Sequence, residues 1–365
     1  MSEHQHSRDL YTVERMREID RAALAALDIS GVELMRRASS AALGSLRRHW
    51  PQLRRICIHC GPGNNGGDGF LLGVLAREAG LQAEVVALTR HSRGDAVAAR
   101  AAWDEGGGRI HRWHALGDLP EADLHVDALY GIGLNREPEP AAARLIECIN
   151  ASGAPVLALD VPSGLNADSG QCPGVAIRAD VTVSFIAHKR GLHTGRAADF
   201  AGVLDRASLG VPNAAYAHVP PDARLLLAEN LPPRARYANK GNHGHVLVIG
   251  GGPGMGGAVQ LAGMAALRTG AGLVSVATRA EHVLALNAAR PELMAHGVDG
   301  PQALQPMLER ADVLALGPGL GRSAWGHALW LTALESVKPR GLDADGLNLL
   351  ASEPRPFTAA TVLTP

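Results

Sequence analysis

At 365 residues, with 46% apolar and 19% charged residues, the chain has the size and composition of two globular domains, not of a disordered or fibrous protein. A formal net charge of −1 with no long basic run excludes nucleic acid or an anionic membrane surface as the main partner. No apolar stretch reaches the length of a membrane span, and the polar start, Met1 to Asp9, is no secretory signal, so a cytoplasmic protein is expected.

Residues 1 to 9 read as a disordered tail. Thr12 can cap a helix whose apolar positions Met16, Ile19, Ala23, Leu24 and Leu27 share one face. A second helix is expected from about Val32 to His49, stopped by Pro51. Strand and helix then alternate. Ile56 to Cys60, Ala83 to Leu88, Ala122 to Leu129, Pro155 to Val161, Val181 to Phe185 and Gly202 to Asp205 read as strands. Phe70 to Ala79, Asp95 to Glu105 and Ala141 to Ser152 read as helices. This order predicts a mostly parallel sheet with helices on both faces.

Between the first of these strands and its helix lies Cys60-Gly61-Pro62-Gly63-Asn64-Asn65-Gly66-Gly67-Asp68-Gly69-Phe70. Its five glycines permit close backbone approach to a ligand, and a following helix offers its N-terminus to an anion. The spacing is not G-x-G-x-x-G. A generic βα turn does not call for an Asn-Asn-x-x-Asp set, so the loop reads as a binding site. Two more polar clusters fall at strand ends, Asp127 to Leu134 and Asp160 to Asn166. Each alone could be a capping Asp or a Pro-Ser-Gly turn. Ligands bind at that edge of such a sheet, which gives the three together more weight.

Four cysteines are too few for a disulfide scaffold. Cys57 and Cys60 form a C-x-x-C, but Cys57 sits inside an expected strand, so metal or redox chemistry is not expected there. His111 with His114, and His243 with His245, are weak ligand pairs without an acidic or Cys partner at ligand spacing.

Residues 214 to 236 turn Pro-, Ala- and Arg-rich and read as a linker. A second α/β pattern follows. Its expected strands are Gly244 to Ile249, Gly272 to Thr278, Ala311 to Leu316 and Thr361 to Pro365, with a short one before Asp343. Its expected helices are Ala258 to Thr269 and Trp325 to Val337. Glycine turns follow at Gly250 to Gly257 and Gly317 to Gly321. The last strand leaves an exposed sheet edge, which invites self-association.

These residues carry a family resemblance. GPGNNGGDG at Gly61 to Gly69, VDALYGIGL at Val126 to Leu134, DVPSGLNADSG at Asp160 to Gly170 and Lys189-Arg190-Gly191 resemble the NAD(P)H-hydrate epimerases. KGNHGHVLVIGG from Lys240, GAVQLAGMAALRTGAGLVSVAT from Gly257, GPGLG from Gly317 and LDADGLNLL from Leu342 resemble the ADP-dependent NAD(P)H-hydrate dehydratases. The resemblance implies an α/β protein with a Rossmann-like three-layer domain at 1–213 and part of a ribokinase-like domain at 237–365. It implies repair of NADH and NADPH that have gained water across the nicotinamide ring. The first domain would interconvert the R and S hydrates, and the second would dehydrate the S form.

Carried over by motif, Asn64, Asn65, Gly66, Gly67 and Asp68 are expected to line the substrate. Gly131, Ile132, Gly133, Leu134, Asn135, Arg136 and Glu137 are expected to contact the dinucleotide. Asn65, Asp127 and Ser163 are expected to coordinate K+, a hard cation suited to oxygen ligands. Asp160 is expected at the reacting ring, as the carboxylate that proton transfer at a carbinolamine carbon requires. Lys189 is a second catalytic candidate, as a proton donor or a charge beside Asp160; a phosphate-facing or surface lysine is the plainer alternative. In the second domain only Ala258 and Gly319 match expected substrate contacts. ADP or ATP would serve that domain. Its base and nucleotide cradle are expected beyond Pro365, so it is expected to be inactive in this chain. A small-molecule substrate and a homo-oligomer are expected. A non-catalytic dinucleotide sensor and a ribokinase-like small-molecule kinase are the alternatives.

Overall fold

In a computed structural model that describes residues 6–113, 118–226 and 231–364, the chain forms two compact units, Met1–Glu229 and Asn230–Pro365. The first begins with β1 (Asp9–Tyr11), α1 (Val13–Leu27) and α2 (Gly31–His49). β2 (Arg55–Cys60), α3 (Asn64–Glu78), β3 (Gln82–Ala87), α4 (Ala96–Glu105), β4 (Ile110–Arg112), β5 (Leu124–Ala128), α5 (Pro140–Ala151), β6 (Val156–Leu159) and β7 (Val181–Phe185) follow. β8 (His188–Lys189), β9 (Val203–Ala207) and β10 (Ala223–Arg224) complete it.

Seven strands form one sheet in the order β4-β3-β2-β5-β6-β7-β9, and every pair in it is parallel. The chain order reverses between β2 and β5. That is where a crevice opens beyond the strand ends of a doubly wound sheet. Strand alternation sorts the two faces. Ile56, Ile58, Cys60, Val126 and Leu157 pack with Met35, Phe70, Leu72 and Trp103 from α2, α3 and α4. Val156 points the other way, into a cluster with Leu145, Ile146 and Ile149 of α5. Helices therefore cover both faces, as the alternation predicts.

Most boundaries lie within a few residues of expectation, and one difference bears on function. The helix expected from Phe70 begins at Asn64, so Asn65 and Asp68 are helical. Glycines favour loops by propensity, but here they make contact possible. A Cβ on Gly66 would lie 1.9 Å from the Gly61 carbonyl oxygen, and one on Gly61 would lie 1.8 Å from that of Leu129. Tertiary packing overrides the local preference. Thr12 has extended backbone but makes no side-chain cap; its N–H donates to Asp222 at 2.8 Å. Ser30 does cap, accepting from the N–H of Glu33 at 3.2 Å.

The tail and linker readings need correction as well. Residues 1–5 lie outside the described residues, but Asp9 starts β1, and its carboxylate pairs with Arg224 at 3.0 Å. Residues 213–216 form a 3-10 turn with Ala215 and Tyr216 buried. β10 pairs with β1, which pairs with β8, in a small three-stranded sheet. Residues 227–230 lie outside the described residues.

The second unit carries β11 (His245–Ile249), α6 (Gly256–Thr269), β12 (Leu273–Thr278), α7 (Ala280–Ala289), β13 (Met294–Gly297), α8 (Pro301–Arg310), β14 (Val313–Leu316), α9 (Ala324–Glu335), β15 (Arg340–Asp343), α10 (Asp345–Ser352) and β16 (Thr361–Thr364). Its sheet runs β13-β12-β11-β14-β15-β16, all parallel, and reverses between β11 and β14. α7, β13, α8 and α10 were not expected. Pro306 inside α8 argues against a helix by sequence. β16 lies at the sheet edge with Val362 and Leu363 exposed. No helix among the described residues is long and apolar enough to cross a membrane.

Candidate active site

At the chain reversal of the first unit, a cleft of about 520 Å³ opens beyond β2 and β5. Asn64, Asn65 and Asp68 line it from the first turns of α3. Gly131, Ile132, Gly133 and Leu134 line it from the loop after β5, and Asp160 and Lys189 from the ends of β6 and β8. The three sequence clusters thus meet in one place, because consecutive parallel strands deliver their C-terminal ends to one sheet edge.

Other expected contacts stand apart from the cleft lining. Gly66 packs on Gly61, and Gly67 lies against Met35 and Ala96. Asn135, Arg136 and Glu137 do not line the cleft either; Arg136 pairs with Glu139 at 3.3 Å, and Glu137 lies beside Gly174.

Lys189 is buried, 1% exposed, which removes the surface-lysine reading. Its ammonium donates to the Asp160 carboxylate, to the Phe185 carbonyl at 2.8 Å and to the Ser184 hydroxyl at 3.2 Å. All three N–H bonds are committed. Register explains its position: Lys189 pairs with Tyr11 across β8 and β1. Asp160 stands at φ +67, a left-handed backbone unusual for a residue other than glycine, and such conformations cluster at functional sites. Its N–H donates to the Val183 carbonyl at 2.8 Å. A Cβ on Gly131 would lie 3.0 Å from Asp160 Oδ2 and 3.5 Å from Asn65 Cβ, so this glycine fits between those two side chains. Ile186, a β-branched residue at φ +65, is a second strained position, and it too lines the cleft.

Beneath the cleft Asp127 is fully buried. One of its oxygens accepts from the Ser163 hydroxyl at 2.6 Å and from the Leu129 N–H at 3.1 Å; the other accepts from the Ser163 N–H at 2.7 Å. Burial pushes its carboxyl up to about 6 against the pull of those donors. Asn65, on α3 beside Gly131, is 8% exposed, and neither its amide oxygen nor its amide nitrogen has a hydrogen-bond partner among the described residues. A buried, orphaned amide points to a missing partner.

Sequence reasoning missed the wall supplied by the first two helices. Met16, Asp20 and Leu24 of α1 and Leu34, Met35 and Ala38 of α2 also line the cleft. One signal was available. Asp20 sits four residues from Met16 and from Leu24, on the stripe otherwise read as apolar. Burial pushes its carboxyl up to about 6, with Asp160 adding to the rise and Lys189 opposing it. Asp68 is driven well above the usual carboxylate range, by burial first and then by Asp160 and Asp20.

Outside the cleft, Cys57, His59 and His125 lie together on the opposite sheet face from Cys60, with ligand atoms within 4.8 Å of one another. Here His59 Nε2 and His125 Nδ1 are 3.0 Å apart in a buried hydrogen bond. His111 pairs with Glu84 at 3.0 Å, His245 bonds Ser275 at 2.8 Å, and His114 lies outside the described residues. In the second unit the glycine turns after β11 and β14 meet. Gly251 N–H donates to the Pro318 carbonyl at 3.0 Å, and Gly252 N–H to that of Gly319 at 2.6 Å. A Cβ on Gly319 would lie 3.0 Å from that of Ala258, so these two expected contacts are neighbours.

Comparison with known proteins matches this division. The family described as YjeF-related protein N-terminus matches residues 31–191, and the family NAD(P)H-hydrate dehydratase matches residues 246–365. The bifunctional NAD(P)H-hydrate repair enzyme Nnr of Coxiella burnetii is 47% identical over 350 residues, covering 94% of this chain and 72% of that protein. Its counterpart from Escherichia coli is 42% identical over 355 residues, covering 94% and 68%. A solved ADP/ATP-dependent NAD(P)H-hydrate dehydratase from Bacillus subtilis is 26% identical, covers 37% of this chain and 48% of its own, and superposes with a TM-score of 0.32. With 47% identity over nearly all of its length, the chain belongs to the family of bifunctional NAD(P)H-hydrate repair enzymes.

Proposed function

We propose that the first unit interconverts the R and S hydrates of NADH and NADPH, and that the second removes water from the S form with ADP or ATP. The observation that carries the first half is the Lys189–Asp160 pair in a cleft at the sheet's reversal point. The N-terminus of α3, with Gly63 and Asn64 at its mouth, suits the dinucleotide's pyrophosphate. In this reading the reacting ring lies toward Asp160. Epimerisation of a carbinolamine carbon requires a proton acceptor and a donor, by loss and return of the hydroxyl or by ring opening. Asp160 is the acceptor in this reading. Lys189, with every N–H committed, positions Asp160 and does not donate to substrate.

Asn65, Asp127 and Ser163 fit a monovalent cation. Their donor set is all oxygen, and the orphaned Asn65 amide oxygen gains the partner it lacks. K+ would supply a fixed positive charge under the substrate. Asp127 and Ser163 hold each other in place for it. The form proposed is a cytoplasmic homo-oligomer, which light scattering of the purified chain tests.

For the second unit, the dehydratase match over residues 246–365 gives no support to the expectation of an inactive half. Supplying S hydrate with ADP tests it through the return of reduced-nicotinamide absorbance. The epimerase reading is tested by supplying each hydrate separately and following both by chromatography. Interconversion above the spontaneous rate is expected; unchanged R hydrate would return the first unit to a dinucleotide sensor.

A further inference from the structure

Four carboxyl groups line the cleft, Asp95 ahead of α4 among them, and the other three interact with one another around one ammonium. Asp20 comes from α1, Asp68 from α3 and Asp160 from the end of β6, around Lys189. The three N–H bonds of Lys189 go to Asp160, Ser184 and Phe185, so Asp20 and Asp68 receive none of them. Charge crowding of this kind forces protons to be shared, because carboxylates that face one another in a low-dielectric site do not all ionise. Lys189 pairs with Asp160 and with neither Asp20 nor Asp68, whose carboxyls burial raises.

These two differ in what they can do with a proton. Asp68 sits in α3 with only 9% exposure, and burial raises its carboxyl well above the usual carboxylate range. Asp20 is less enclosed and reaches the cleft from a different wall. Its charged and titratable neighbours are Lys189 and Asp160, Asp68, and Tyr216 from the turn packed on α1, while Arg17 and Asp95 also line the cleft. Its carboxyl titrates at about 6, near the working range of an acid catalyst. A carboxyl raised by burial, in one cleft with a lysine-paired carboxylate, is the pattern of an acid and base pair.

Building on the epimerase reading, we propose that Asp20 is the proton donor of the reaction, working against the Lys189-paired carboxylate of Asp160. Asp20 gives its proton to the ring hydroxyl. The carbon–oxygen bond breaks, its electron pair leaves with the oxygen as water, and the ring nitrogen lone pair takes up the positive charge as a carbon–nitrogen double bond. Water then adds to the opposite face, and its proton passes to Asp160. The two carboxyls have exchanged protonation states. The exchanged state serves the opposite epimer, or proton exchange with solvent resets it.

The test compares wild type, Asp20→Asn and Asp20→Glu, assayed from each pure hydrate across pH and in heavy-oxygen water. Thermal melts establish that each variant is folded. The wild-type rate should fall as pH rises through about 6. Asp20→Asn should lose about 10²–10⁴-fold in kcat with little change in KM, lose that falling limb, and lose heavy-oxygen incorporation in step. Asp20→Glu should recover part of the rate. A folded Asp20→Asn that keeps kcat within about threefold of wild type, or keeps the same falling limb, overturns the proposal. A wild-type chain inactive on both hydrates defeats the epimerase reading itself, a separate result.

Discussion

The ammonium of Lys189 and the carboxylate of Asp160 meet inside the first unit, with the cation 1% and the anion 14% exposed. Neither residue is held by its neighbours in sequence alone. Lys189 is fixed by the short sheet that pairs β8 with β1, and Asp160 by a left-handed turn after β6. Removing one partner of a buried pair leaves the other uncompensated. Lys189→Met should therefore lower unfolding free energy by about 3 kcal/mol, as well as abolish epimerisation. A urea midpoint equal to wild type would show that the pair is not structural.

Asp160→Asn keeps volume and keeps an oxygen for Lys189. It removes the proton acceptor, so the interconversion rate should fall by about 10²–10⁴-fold while far-ultraviolet circular dichroism stays unchanged. Equilibration of pure R hydrate at near wild-type rate would remove Asp160 from the chemistry.

Asn65→Leu fills the same space without an amide. If Asn65 holds a monovalent cation with Asp127 and Ser163, the variant should lose any dependence of rate on K+ and any anomalous-scattering peak from thallium-soaked crystals. A thallium peak at those three residues in the variant would exclude the amide as a ligand.

Gly66→Ala tests packing directly. Its methyl would meet the Gly61 carbonyl oxygen at 1.9 Å, a backbone atom with little room to yield. Overpacking of this kind costs about 1–3 kcal/mol and would push α3 off the sheet. The melting temperature should fall and the substrate KM rise. A normal melt with normal KM would mean that the turn relaxes freely.

Asp20 also leaves a mark on stability. Its folded value is raised from 3.8 to about 6, so the folded state binds its proton more tightly than the unfolded state does. The contribution is full below the unfolded value and is lost as pH rises through about 6. Asp20→Asn does not ionise. Its melting temperature relative to wild type should therefore rise between about pH 4 and pH 8. A constant difference across that range would place Asp20 in a more watery setting.

The sequence alone determined the alternation of strand and helix, and hence two parallel sheets with polar turns at one edge. Those signals are local: apolar runs such as Ile56 to Ile58, glycine turns after them, and helical spacing of apolar residues. It also carried the motif that includes Asn65 and Asp68, because their residue types stand out in any turn. Only the tertiary structure decided that these two are helical, since propensity disfavours glycines in a helix while the close contact of Gly66 with Gly61, and of Gly69 with Ala128 and Cys60, requires them. Only the tertiary structure buried Lys189 against Asp160, because that contact depends on β1 crossing from the far end of the chain to pair with β8. Asp20 likewise reads as one polar residue on an amphipathic helix until α1 is laid over the cleft. Helical periodicity assigns a residue to a face, and long-range packing decides what that face meets.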